Sequence, residues 1–212
     1  MFTRITAIIL LALSLACGDN GSADTDTEAG TTAGTTAGGS TGGPTEPTSS
    51  TGDSSTGLDP SQLYGCKEEA FGAAPLAGPG WDAEKGGIQG TLQDSYVLHT
   101  TQIYVRPEQG QAFGALAQAV GEEAAKTEGL IAFSVGSDNG CGVARTMGIW
   151  ANEEALYKLV MSEAHAKAMA ATLDVSYTGR TTHWTVTAAE ANAYSWDIAR
   201  AKVEDVEPSP LY

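Results

Sequence analysis

Histidine is the side chain best suited to move a proton near neutral pH, and this chain has three: His99, His165 and His183. His165 stands three residues after Ser162, with Met169 four residues further on. That spacing places it in the first turn of a helix, where an imidazole can act as a general base or a hydrogen-bond donor, or can simply pack and cap. His99 and His183 fall on two stretches that read as neighbouring strands, so either could line a pocket. A three-histidine metal site would require three separate elements to converge, and no local ligand spacing supports one. Neither a metal nor another cofactor is expected. Trp150 closes a third strand, either seating the next helix or lining a pocket. Tyr104, Tyr157 and Trp184 are further wall candidates, with core packing as their ordinary role. The chain contains no nucleophile elbow, phosphate loop or paired-carboxylate arrangement.

The elements that must position these residues follow from periodicity. Tyr96 to Val105 is rich in β-branched and aromatic residues and stops at Arg106-Pro107, as a strand does. From Glu108 to Thr127, Phe113, Leu116, Val120 and Ala124 recur at helical spacing, and Gly129 marks the stop. Leu130–Val135 and Gly142–Trp150 read as two strands joined by a turn over Ser137–Gly140, which carries an Asn-Gly signal. Asn152 starts a helix with Glu153 and Glu154 in its first turn and Leu156, Leu159 and Val160 inward. Ser162 starts a second helical piece running to Leu173, with Ala166, Met169, Ala170 and Leu173 inward. Gly179–Thr187 is a fourth strand, and Glu190–Val206 a final helix with Trp196 and Ile198 available for docking. The order β-α-β-β-α-β gives an α+β, ferredoxin-like fold with strand order 4-1-3-2 and both helices on one face. The other face must be covered by something.

The first sixty residues are different in kind. Arg4 precedes an apolar run, Ile5–Leu15, of signal-peptide length and too short for a lasting membrane span. The run ends in Leu13-Ser14-Leu15-Ala16-Cys17, which resembles the lipobox of bacterial lipoproteins, although Ser14 and Leu15 depart from the family's preferences. The resemblance implies a signal peptide over 1–16 and a lipidated Cys17 on a cell-envelope membrane. The alternative is an ordinary secretory signal with Cys17 incidental. Residues 17–60 are dominated by Thr, Gly, Ser and acidic residues. They cannot bury enough apolar area to offset ordering entropy, so they read as a disordered tether. From residue 61 onward there are 19 acidic and 10 basic residues. Without a basic patch to neutralise phosphates, nucleic-acid binding is not expected. In an exported chain Cys66 and Cys141 form an even pair, suggesting a disulfide, with two free thiols as the alternative.

Several motifs then fall into a family pattern. They are Val105-Arg106-Pro107; Glu128-Gly129-Leu130-Ile131-Ala132-Phe133; Ile149-Trp150-Ala151-Asn152-Glu153-Glu154-Ala155-Leu156; and Ser162-Glu163-Ala164-His165. In order and spacing the stretch from about Leu98 to Val186 resembles the antibiotic biosynthesis monooxygenase family of dimeric α/β barrels. The resemblance implies a homodimer in which two sheets pack face to face. It also implies a pocket between each sheet and its helices, and oxidation of small aromatic or quinol-like molecules by O₂, often without metal or flavin. His165 sits where the family most often has His, which makes it the catalytic candidate. Thr101, Trp150, His99 and His183 are the substrate-binding candidates. The residues of the haem-degrading branch would fall on Thr101, Leu159 and Ala168, and none of the three matches. The chain is thus expected to comprise a signal peptide (1–16), a lipidated tether (17–60), an N-terminal extension (61–95), a core domain (96–188) and a C-terminal helix and tail (189–212). The leading expectation is an envelope-tethered, cofactor-independent monooxygenase acting on a small aromatic or quinone-type substrate. The alternative is a non-catalytic lipoprotein that binds a small apolar ligand in the same barrel.

Overall fold

The computed structural model describes residues 60–209. The signal-peptide, lipidation and tether expectations lie outside them. Two long strands carry the architecture: β4 (Ser95–Val105) and β7 (Ser176–Thr187). Between them come a short 3₁₀ turn, α2 (Gly110–Lys126), β5 (Leu130–Asp138), β6 (Val143–Trp150), α3 (Glu153–Val160), α4 (Glu163–Ala170) and α5 (Thr172–Val175). Before them lie α1 (Pro60–Tyr64) and three two-residue strands, β1 (Gly72–Ala73), β2 (Trp81–Asp82) and β3 (Gly87–Ile88). After them come α6 (Ala188–Asn192) and α7 (Trp196–Glu204). The main sheet runs β1-β5-β6-β4-β7, all antiparallel. Apart from the added edge strand β1, this is the expected ferredoxin-like order. Among the described residues no helix is long and apolar enough to cross a membrane.

Local chemistry explains most boundaries. Asn152 and Ser162 cap α3 and α4, their side chains accepting from the Ala155 and His165 backbone N–H groups. The hairpin turns later than expected. β5 continues to Asp138, and the left-handed residue is Gly142 rather than Gly140. The Asp138 carboxylate holds this turn by accepting from the Cys141 backbone N–H. The second helical piece ends earlier than expected at Ala170, and Leu173, on the separate α5, is 54% exposed rather than inward. The expected final helix is two. Thr187 and Glu190 form a capping box that starts α6, and Ser195 caps α7 afresh.

The sheet's two faces are covered differently. α2, α3, α4 and α5 lie over the face carrying Val97, His99, Thr101 and Ile103. Here Trp150, Val97, Leu130 and Phe133 pack on Ala124, Leu156 and Leu159. The opposite face is where the family resemblance expects a second copy of the chain. It is instead filled by the chain's own flanks. Tyr96, Leu98, Met147 and Ile149 are buried against Ala191, Tyr194 and Ala199 of the tail, with Leu76, Trp81 and Ile88 of the extension beside them. Ile88 N–H donates to Asn192 Oδ1 (2.8 Å), joining extension to tail. Cys66 and Cys141 are disulfide-bonded, tying the extension to the β5–β6 turn. Glu68 accepts from Arg145 (2.7 Å) and Arg200 (3.1 Å), and its side chain is 6% exposed. The physical reason for a self-covered face is supply: residues 61–95 and 189–209 bring enough apolar surface to bury it without a partner.

Candidate functional site

Between the sheet and its helices lies a cavity of about 370 Å³. Sheet register decides what it contains. In the antiparallel ladder His99 stands opposite Gly148 on β6 and opposite His183 on β7, while Gly148 stands opposite Phe133 on β5. One row across the sheet therefore reads Phe133, Gly148, His99, His183. The next row reads Val135, Thr146, Thr101, Thr181. All of these except Gly148 line the cavity. The helices supply an apolar roof that includes Phe113, Leu116, Val120 and Met169, with His165 set into it. No Asp, Glu, Lys or Arg lines the cavity. A ligand that fits is therefore small, largely apolar and uncharged as it enters.

The structure brings four of the five sequence candidates together and sets one apart. His99, Thr101, His165 and His183 all line the cavity. Trp150 does not. It is fully buried beneath the wall, and its indole N–H donates to His99 Nδ1 at 2.8 Å. The His99 ring also stacks on Phe133, with centroids 5.9 Å apart and planes 21° apart. Burial, with the His183 and His165 rings nearby, holds its pKa down to about 4. His99 is thus a neutral imidazole at physiological pH. His183 is more open to solvent, with its ring edge-on to Tyr157 at 5.8 Å.

His165 differs from both. Its backbone N–H is taken by the Ser162 hydroxyl at 3.2 Å, which fixes the start of α4. Its side-chain Nδ1 is buried and has no hydrogen-bond partner. Burial lowers its pKa, and the Val160 backbone partly opposes that shift. The His165 imidazole, set into the apolar roof, can take a proton from a bound molecule. Thr101 adds a second acceptor. The Thr181 hydroxyl donates to the Thr100 carbonyl (3.1 Å), so the Thr101 hydroxyl donates to Thr181 (2.8 Å). The Thr101 oxygen keeps only lone pairs to offer. Among the described residues no group of three or more His, Cys, Asp or Glu is arranged to hold a metal ion.

Sequence reasoning missed the Trp150–His99 bond, which joins residues 51 apart, and it missed Gly148. A Cβ on Gly148 would run into the His99 ring. The only signal was a glycine interrupting a strand, which often marks a close approach.

Residues 97–171 match the family model described as antibiotic biosynthesis monooxygenase. No curated protein matches the chain. Three solved structures are similar to it. A candidate monooxygenase from Lactobacillus acidophilus NCFM is 14% identical over 45% of this chain and 49% of that one, with a TM-score of 0.39. A conserved protein from Methanosarcina mazei Go1 is 19% identical over 42% and 90%, with a TM-score of 0.39. A protein from Mycobacterium tuberculosis is 15% identical over 43% and 93%, with a TM-score of 0.38. The match to this chain thus spans about half the length of the first. The matched segment carries three of the four long strands in whole or in large part, together with His99, His165 and most of the apolar roof. Residues 97–171 are therefore similar to the antibiotic biosynthesis monooxygenase family, and they lie between flanks that cover the sheet's second face.

Proposed function

We propose that the chain is an exported oxidative enzyme, anchored through Cys17 to a cell-envelope membrane, which oxidises a small uncharged aromatic of hydroquinone or anthrone type with O₂. One observation carries this reading: the half-buried imidazole of His165 is set into the wall of a largely apolar cavity that no charged side chain lines. Export is supported by the signal-like start and by a disulfide, which persists in oxidising compartments.

The chemistry asks little of the protein. His165 removes a proton from the substrate's hydroxyl or activated ring carbon, leaving an electron-rich anion in a desolvated site. That anion reduces O₂, and a C–O bond forms. For an anthrone the CH₂ carbon becomes C=O. One oxygen atom stays in the product and the other leaves as water with the two substrate hydrogens. The substrate supplies all four electrons that O₂ takes up, so the step balances without a further reductant. A positioned base of this kind contributes about 10²–10⁴-fold in rate.

The uncharged wall equally favours a purely binding role, in which the cavity carries an apolar ligand without turnover. Oxygen uptake by the full chain against a panel of hydroquinones and anthrones separates the two. Uptake with label from ¹⁸O₂ appearing once per product supports oxidation. Tight binding without uptake for every member supports the carrier and ends the enzyme reading.

A further inference from the structure

We infer that His99 is the cavity's fixed hydrogen-bond donor, its Nε2–H presented to a ligand oxygen by Trp150 and Gly148, so that the site selects molecules bearing a hydroxyl or keto oxygen. This role rests on the proposed function and names the group that receives the oxygen's developing charge once His165 has taken a proton.

Hydrogen-bond direction fixes where the His99 ring carries its proton. An indole N–H can only donate. Its 2.8 Å bond to His99 Nδ1 therefore requires a lone pair there. A neutral imidazole with a bare Nδ1 carries its proton on Nε2, so the indole fixes the tautomer by chemistry rather than by choice. Burial and the neighbouring His183 and His165 rings oppose a second proton. No other described residue hydrogen-bonds the ring, which leaves Nε2–H as the nitrogen available on the cavity side.

The ring is also held in place. Phe133 stacks on it, and the missing Cβ of Gly148 makes the room it occupies. Behind it, the Tyr194 hydroxyl from the tail donates to the His99 carbonyl at 2.8 Å. A donor fixed in a water-poor site stabilises a developing oxyanion with no reorganisation during reaction. The His165 imidazole in the roof and Thr101 Oγ1, beside His99 on β4, offer acceptors. The three groups divide the work: one donates, and two accept. His99 is thus a catalytic group of the proposed reaction and Trp150 its positioning residue.

The test uses the full chain and two probes that differ by one hydroxyl, 1-naphthol and naphthalene, with ¹⁵N NMR of the histidine rings. The wild-type protein should show His99 protonated at Nε2 alone from pH 5 to 8, and should bind 1-naphthol roughly fivefold tighter than naphthalene. Trp150→Phe keeps an aromatic ring, though a smaller one, and removes the donor. It should yield mixed tautomers and bring the naphthol preference to within about twofold, with naphthalene affinity kept. A His99 proton on Nδ1 in the wild type, or an unchanged preference in W150F, overturns the assignment. The wild-type spectrum decides alone if W150F does not fold. Failure of oxygen uptake with the naphthol preference intact defeats oxidation and not the donor. Uptake with no naphthol preference does the reverse.

Discussion

The two faces of one sheet have been put to opposite uses. On the helix side, β4 offers Val97, His99, Thr101 and Ile103, and the space above the last three is left as a cavity. On the other side the same strand offers Tyr96, Leu98, Thr100, Gln102 and Tyr104, each about 1% exposed. The cavity face holds neutral polar groups with hydrogen bonds unmade. The sealed face holds charges, and nearly all are paired. Burying a charge is costly unless it is matched, so Arg145 and Glu68, both almost wholly buried, can exist only because they meet. Arg180 is treated similarly, donating to Gln102 Oε1 at 2.6 Å and lying over the Tyr64 ring. Tyr104 beside them is pushed up to about 12 by burial and by Glu68. The lesson is that stability and function are separable across a single strand. Changes on the sealed face should cost folding, and changes on the cavity face should cost ligand chemistry.

The largest break in that comparison is Glu68→Gln. It keeps the shape but leaves Arg145 and Arg200 without their shared carboxylate. The expected loss is about 4 kcal/mol of stability, read as a lowered urea midpoint. Because the flanks already occupy this face, light scattering on the wild-type chain should give the mass of one chain. A pair held through this face would require the flanks to be displaced.

Acid should act next, and through the cavity face. His99 is held at about 4 when folded, against an ordinary 6.5. Above 6.5 neither state is charged and stability is complete. Between 6.5 and 4 the unfolded chain takes up the proton and the folded one does not, so stability falls with pH by about 3 kcal/mol and then levels off. Urea midpoints at pH 7.5 and 4.5 measure this, and the drop should shrink when His99 is replaced by Phe. Thr101→Val should have the smallest effect. It removes one exposed hydroxyl pair and should cost about 0.5 kcal/mol in stability, while weakening 1-naphthol binding more than naphthalene binding.

What could be read from sequence follows the same division. The cavity face was legible because its elements are local. Caps at Asn152 and Ser162, a 3.6-residue rhythm in α2 and β-branched runs in β4 and β6 each announce themselves within a few residues. That put His99, Thr101, His165 and His183 on the right elements. The sealed face was not legible. Strands of two residues have no periodicity, and residues 61–95 take their shape from the sheet they lie on. Gly78, for example, lies so close to the Ile131–Ala132 backbone that a Cβ could not fit. The tail was misread as one helix because Ala193, Tyr194 and Ser195 do not break an apolar pattern, although Ser195 is a good cap. Leu173 fits a helical stripe by count but falls beyond the break at Ala171.

In the proposed function the cavity is an active site with His165 as its base. Its most direct test is the oxygen-uptake rate of His165→Ala beside the wild type, on the best substrate of the panel. Alanine keeps the backbone N–H that Ser162 caps, so the variant should fold, with its urea midpoint lowered only by the packing lost. The rate should drop by about 100-fold or more. A variant that folds normally and turns over within twofold of the wild type would contradict the account.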